Sequence, residues 1–289
     1  MDFIRVILLG IVEGITEFLP ISSTGHLIIA DQFIKLSPAE FSNAFKVIIQ
    51  LGAIMSVVVV SFNKLNPFSK AYLSDNIKRN FDRLNLQSKI YYLLKDGNKE
   101  ILSLWKKIII ALIPAVVLGL LFDDLIDKYL FNPITVAIML IFWGIVIILI
   151  EKRNKNTVPV IESFNKMGYK TAFLIGMFQC LALIPGTSRS AATIIGALLL
   201  GSSRLIATEF SFYLAIPTMF GATLLKVVKN FGGYTSYQWL LILLGSIVSF
   251  VVAYFTIKKF LDYVKSKDFT LFGYYRIIVG ILVLVLMLI

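Results

Sequence analysis

Apolar residues run along this chain in long stretches, with no alternation and no single helical stripe. Six stretches, 44–62, 108–123, 133–150, 209–228, 239–257 and 272–289, approach the roughly 20 apolar residues that a helix needs to cross a bilayer. Two more, 3–35 and 171–203, are as apolar but broken in the middle. The breaks read Pro20-Ile21-Ser22-Ser23-Thr24-Gly25-His26 and Pro185-Gly186-Thr187-Ser188-Arg189-Ser190. Proline removes a backbone donor and clashes with the preceding turn, and the hydroxyl residues behind it are good N-caps for a new helix. Each stretch therefore predicts a half-helix, a tip and a second half-helix, dipping in and returning to the same side. Irregular backbone at that depth is tolerated only when it is buried in protein or lines a wet cavity. Glu13 and Glu17 interrupt the first stretch and no small-residue cleavage site follows, which argues against a signal peptide. The predicted fold is an all-α polytopic membrane protein, one domain over 1–289, with six transmembrane helices plus two re-entrant broken helices.

The pattern repeats. Gly10 and Glu13 resemble Gly176 and Gln179, and Pro20 with Ser22-Ser23 resembles Pro185 with Thr187-Ser188. Glu40-Phe41-Ser42 followed by Gly52-Ala53 matches Glu209-Phe210-Ser211 followed by Gly221-Ala222. Near the ends of the halves, Gly144 pairs with Gly280. A first repeat over 1–150 and a second over 171–289 follow, the first carrying an insertion at about 64–107. Each half holds three spans, an odd number, so the second enters with inverted topology. Inverted repeats with broken helices place their site near the midplane, where the halves meet.

Charge fixes the orientation. The formal net charge is +11. Residues 64–107 carry ten Lys/Arg against four Asp/Glu, residues 151–170 five against two, and residues 258–271 four against two. The excess lies in connections between spans, as the positive-inside rule requires of cytoplasmic loops, and it speaks against nucleic acid as a partner. The connections 123–132 (with Asp123, Asp124 and Asp127) and 229–238 then lie outside. One cysteine, Cys180, and one histidine, His26, exclude a disulfide framework and His- or Cys-cluster metal centres. The aromatics Phe81, Tyr91 and Tyr92 of the 64–107 insertion could let it lie on the cytoplasmic surface, the plainer alternative being a solvated loop.

Ionisable residues inside spans mark function. Glu13 and Glu17, four residues apart, share one helix face, where two carboxylates repel unless a cation, a proton or an arginine intervenes. Arg204, Glu209 and Arg276 lie near helix ends. At the tips, Ser22, Ser23 and Thr24 open one helix, and Thr187, Ser188 and Ser190 open another, with Gly186 permitting close backbone approach. Helix N-termini bind anions through free N–H groups, and two such tips meeting would cradle two phosphate groups. Arg189 adds a fork-shaped permanent charge suited to phosphate. His26, one turn past the first tip, suits a nucleophile or a base for Ser23.

These residues carry a resemblance. Glu13-Gly-Ile-Thr-Glu17-Phe-Leu-Pro-Ile-Ser-Ser-Thr-Gly-His26 resembles the Glu/Gln-x-x-x-Glu motif and tip of the bacitracin-resistance-type undecaprenyl-diphosphate phosphatases. Pro185-Gly-Thr-Ser-Arg-Ser-Ala-Ala-Thr193 is similar to that family's Pro-Gly-x-Ser-Arg-Ser-x-x-Thr motif throughout. Glu209–Pro217 and Gly273-Tyr-Tyr-Arg276 support the likeness, and the 64–107 insertion contributes nothing to it. The resemblance implies a hydrolase of the bacterial inner membrane, with its site toward the outer side. It would remove the terminal phosphate of a C55 polyprenyl diphosphate to regenerate the monophosphate lipid carrier of cell-wall (peptidoglycan) synthesis. It implies that Glu13 and Glu17 bind a divalent cation, Mg²⁺ or Ca²⁺, or assist an attacking water. His26 and Ser23 are its candidate nucleophile and base, Ser188, Arg189 and Thr193 hold the diphosphate, and a homodimer is suggested. The rival from the residues themselves is an inverted-repeat transporter or lipid flippase, with Glu13 and Glu17 as ion sites and Arg189 as a clamp for an anionic substrate.

Overall fold

The computed structural model describes residues 1–69, 73–95, 98–130, 132–229 and 233–288. Its first half holds α1 (Asp2–Thr16), α2 (Ser23–Phe33), α3 (Ala39–Val60), α4 (Phe62–Leu65), α5 (Asp75–Asn80), α6 (Leu86–Lys95), α7 (Lys99–Leu130) and α8 (Pro133–Asn154). The second half holds α9 (Tyr169–Cys180), α10 (Arg189–Leu199), α11 (Arg204–Lys229), α12 (Ser236–Val264) and α13 (Thr270–Leu288). Among the described residues there is no β-strand, only an isolated bridge between Ile161 and Ser202. Six helices, α3, α7, α8, α11, α12 and α13, are long and apolar enough to cross a membrane, and they coincide with the six predicted spans. The protein is a multi-pass membrane protein, and its spans present apolar side chains outward, such as Ile109, Leu120 and Phe142.

Both interrupted stretches break where the sequence predicts. α1 ends at Thr16 and α2 begins at Ser23, while α9 ends at Cys180 and α10 begins at Arg189. The predicted outer connection 123–132 differs. Helix α7 continues through Leu130, because neither Gly nor Pro interrupts it after Gly119 until Asn132-Pro133 forces the chain out of the helix. The side chains of Asp123, Asp124 and Asp127, and residues 230–232 of the other outer connection, lie outside the described residues. The insertion opens on α4 and holds the short helices α5 and α6, and its neck is clasped by hydrogen bonds from Asn98 N to Pro67 O (3.0 Å) and from Trp105 Nε1 to Leu65 O (2.8 Å).

Packing exchanges partners between the halves. α1 lies along α12, α9 lies along α7, and α8 pairs with α13. Each contact depends on missing side chains. A Cβ on Gly176 would fall 2.0 Å from the Ala111 carbonyl oxygen, and one on Gly10 2.8 Å from that of Gly245. Between α8 and α13, Gly144 abuts the Gly273 carbonyl and Gly280 that of Ala137. An offset of 136 residues carries Ala137 to Gly273 and Gly144 to Gly280, so the two contacts interchange. Tyr237 Oη reaches Asp2 at 3.4 Å, bringing the start of α1 to the start of α12. Lys107 Nζ donates to Phe164 O at 2.7 Å and Ser103 Oγ lies 3.3 Å from Tyr169 Oη, bringing the start of α9 to the start of α7. The three basic stretches gather at one end, where Asn165 meets Glu100 at 2.7 Å and buried Glu151 accepts from Arg204 and from Phe269 N.

Two repeat-related glycines separate packing from pattern. A Cβ on Gly221 would meet nothing within 4 Å, unlike one on Gly176. Gly176→Ala is expected to lower the unfolding temperature in detergent by several degrees through backbone displacement, and Gly221→Ala to leave it unchanged or slightly raised, both read by thermal scanning.

Candidate functional site

The two tips are built alike. Ser22 has φ 74° and caps α2 by accepting from Gly25 N at 3.3 Å, and Ser188 has φ 73° and caps α10 by accepting from Ala191 N at 3.2 Å. A left-handed conformation is unfavourable for serine, so the surroundings must hold it. They do so by contact between the tips. Ser190 Oγ donates to Leu19 O at 2.9 Å, and Arg189 Nη2 reaches Glu17 Oε1 at 3.1 Å.

The strongest tie is Arg276. Its side chain is fully buried in the second turn of α13. It donates to Gly186 O at 2.7 Å, Thr187 O at 3.0 Å and Pro20 O at 3.1 Å, with longer contacts at 3.4 Å to Met139 O and Leu140 O. One guanidinium thus holds backbone from both tips and from α8, and every partner is a carbonyl. Gly186 has φ 91°, and a Cβ there would fall 2.6 Å from Val136 O, so its backbone comes close enough for the clamp.

Around the clamp lies a chain of polar contacts. Ser23 Oγ donates to Glu17 Oε2 at 2.6 Å, and the other oxygen of Glu17 takes Arg189. Arg189 Nη1 donates to Ser211 O at 2.9 Å. Thr193 Oγ1 bonds back to Arg189 O at 2.9 Å and lies 2.7 Å from Ser211 Oγ. Ser190 and Thr193 are fully buried and spend their hydroxyls on the protein, so they brace Arg189 from behind. Thr24 is half-buried on the first turn of α2, and Ser188 Oγ lies 2.9 Å from Ser190 Oγ. Glu13, one turn before Glu17, is fully buried, and neither of its oxygens receives a hydrogen bond from a described donor. Among the described residues, Arg189 Nε and Thr187 Oγ1 are likewise buried without a partner. His26 bonds Ser22 O through Nδ1 at 2.8 Å and Tyr275 Oη through Nε2 at 2.7 Å. The geometry therefore couples Ser23 to Glu17, and it gives the histidine other partners.

Sequence reasoning located the tips and Arg189 but missed the roles of Arg276, Tyr275 and Ser211. A signal existed. Gly273-Tyr-Tyr-Arg276 puts an arginine inside an apolar span, where an unpartnered charge is costly, and such a residue needs a buried partner.

A family model described as "Bacitracin resistance protein BacA" matches residues 6–282. The chain belongs to the BacA family. Among its relatives, "Undecaprenyl-diphosphatase 1" of Clostridioides difficile (strain 630) is 51% identical over 285 residues, covering 98% of this chain and 96% of that protein. "Undecaprenyl-diphosphatase" of Fusobacterium nucleatum is 53% identical over 288 residues, covering 98% and 99%. The protein of the same name from Enterococcus faecalis (strain V583) is 50% identical over 280 residues, covering 96% and 94%.

Removing the clamp tests the architecture. Arg276→Met leaves at least three carbonyls without their donor, at about 1–3 kcal/mol each. The expected result is a fall in unfolding temperature of roughly 5 °C or more, with Arg276→Lys losing most of the same stability because one ammonium cannot fork to both tips.

Proposed function

We propose that this chain is an undecaprenyl-diphosphate phosphatase of the bacterial inner membrane, releasing phosphate and the monophosphate lipid carrier used in cell-wall synthesis. The observation that carries the reading is the continuous chain Ser23–Glu17–Arg189, which joins a hydroxyl, a carboxylate and a permanent cation across both tips. The names of its relatives support the substrate. The reaction demands a proton acceptor beside the nucleophile and fixed positive charge around the phosphoryl group.

In the proposed step, Ser23 Oγ attacks the terminal phosphorus while its proton passes to Glu17 Oε2. The bond from that phosphorus to the bridging oxygen breaks, and the lipid monophosphate leaves. Water then releases phosphate from the serine. Arg189 neutralises the phosphoryl oxygens, with the unpartnered Nε and Thr187 Oγ1 as further donors. The prenyl tail stays in lipid, and the head group enters laterally. A second reading gives the attack to His26 Nε2, which carries the ring's lone pair because Nδ1 faces the Ser22 carbonyl.

A divalent cation fits the donor set. Glu13 offers two buried oxygens that receive no hydrogen bond, and Glu17 lies one turn away. Among the described residues no third His, Cys, Asp or Glu joins them. Carboxylate oxygens of this kind would suit a hard divalent cation, Mg²⁺ or Ca²⁺. When bound, such an ion would spread the negative charge of the diphosphate, and Glu13 and Glu17 would hold it.

The packing supports an inverted repeat with two re-entrant helix pairs. α1 starts beside α12 at the end away from the basic stretches, and α9 starts beside α7 at the basic end, so the pairs enter from opposite sides. Taking the basic end as cytoplasmic, the pair that carries the acids and the histidine enters from outside, and we place the opening there. One chain supplies both tips, so a homodimer is not needed to complete the site.

Purified protein is expected to release phosphate from undecaprenyl diphosphate in a malachite-green assay, to lose activity with a chelator and to regain it with Mg²⁺ or Ca²⁺. Arg189→Ala is expected to cut kcat/KM by about a hundredfold or more while the protein still elutes as a folded species. Ser23→Ala will abolish a trapped phospho-enzyme if serine attacks, and His26→Ala will abolish it if histidine does. Movement of intact lipid in sealed vesicles without phosphate release would instead favour the transporter.

A further inference from the structure

His26 is held at both nitrogens. Nδ1 lies 2.8 Å from the Ser22 carbonyl, which can only accept, so in the neutral ring Nδ1 carries the proton and Nε2 the lone pair. Nε2 lies 2.7 Å from Tyr275 Oη, so the phenol donates to it. The two rings are parallel within 1° at a centroid separation of 5.6 Å.

The bond to Ser22 comes from the histidine's own helix and fixes one corner of the imidazole. The bond from Tyr275 comes from α13 and fixes the opposite corner, which sets the plane of the ring. Tyr275 is also well anchored. Its neighbour Arg276 carries the guanidinium that grips both tips, so α13 is held against the Pro20 turn beside the phenol. Yet Tyr275 itself is 41% exposed, so its hydroxyl can leave Nε2 without disturbing the core.

We propose that Tyr275 is a positioning residue of the site. Its hydroxyl holds His26 with Nε2 turned toward the incoming head group, and it releases that nitrogen when the substrate arrives. The proposal deepens the phosphatase reading and rests on its second form, in which His26 Nε2 attacks the phosphorus.

Tyr275→Phe removes the donor and keeps the ring. We expect kcat to fall about tenfold, as for one lost hydrogen bond of roughly 1.4 kcal/mol, with KM within about twofold of its starting value. A residue that only packs would leave that split unmoved. The second readout is direct, because the chain holds a single histidine. In protein labelled with ¹⁵N-histidine, the imidazole spectrum reports His26 alone. The Nε2 resonance is expected to shift toward that of an unbonded, unprotonated nitrogen in Tyr275→Phe, while Nδ1 stays protonated. An unchanged Nε2 resonance overturns the proposal, and so does a shifted resonance with unchanged kcat. Full activity in His26→Ala overturns the reading of His26 and the proposal with it. Loss of activity in His26→Ala beside an unaffected Tyr275→Phe overturns the proposal alone.

Discussion

The arrangement of this site depends on one buried cation whose partners are all backbone carbonyls. A guanidinium out of water is costly unless its donors are satisfied. Arg276 meets that cost with the carbonyls that a helix break leaves free, Pro20 on one tip and Gly186 and Thr187 on the other. The two breaks and the arginine are therefore mutually required. The broken helices expose acceptors that apolar surroundings cannot satisfy, and the arginine brings donors that need acceptors. Using carbonyls here leaves the oxygens of Glu17 to Ser23 and Arg189, and those of Glu13 without a donor among the described residues.

From that clamp the rest follows in order. With the tips fixed, Ser22 and Ser188 can be held at positive φ as matching helix caps. With the caps fixed, Ser23 and Arg189, each the first residue of its helix, meet on the same carboxylate from opposite sides. Behind them Ser190, Thr193 and Ser211 form a buried brace that orients the arginine. Hydroxyl residues that look alike in a motif thus divide into Ser23, which meets Glu17 between the tips, and those that brace Arg189 from behind.

Much of this was legible in the sequence, because lipid simplifies the code. Span length and apolar continuity gave six helices, and proline followed by serine gave the breaks. The extension of α7 past the apolar run was not legible, since hydropathy marks where hydrocarbon ends and says nothing about where a helix ends. The pairing of Ser23 with Glu17 was not legible either. His26 is closer in the chain to Ser23 than Glu17 is, and only the turn geometry at the tip decides which of them the hydroxyl meets. Tyr275 and Arg276 lie some 250 residues from the first tip, a pairing that periodicity within one helix cannot reveal. Gly221 shows the reverse error: a Cβ on its counterpart Gly52 would strike the Ser246 backbone, while one on Gly221 would meet no described atom within 4 Å.

The likeness of the two tips ends at their charges. The first presents two acids and an imidazole, the second a guanidinium, with Gln179 standing where Glu13 does. Had both halves stayed identical, two copies of the first tip would crowd four carboxylates together with nothing to neutralise them, and two copies of the second would set arginine against arginine. A symmetric pair of tips could share the scaffold but not the ion pair at its heart. One sign of charge at each tip is what puts an ion pair, Arg189 to Glu17, across the seam between them.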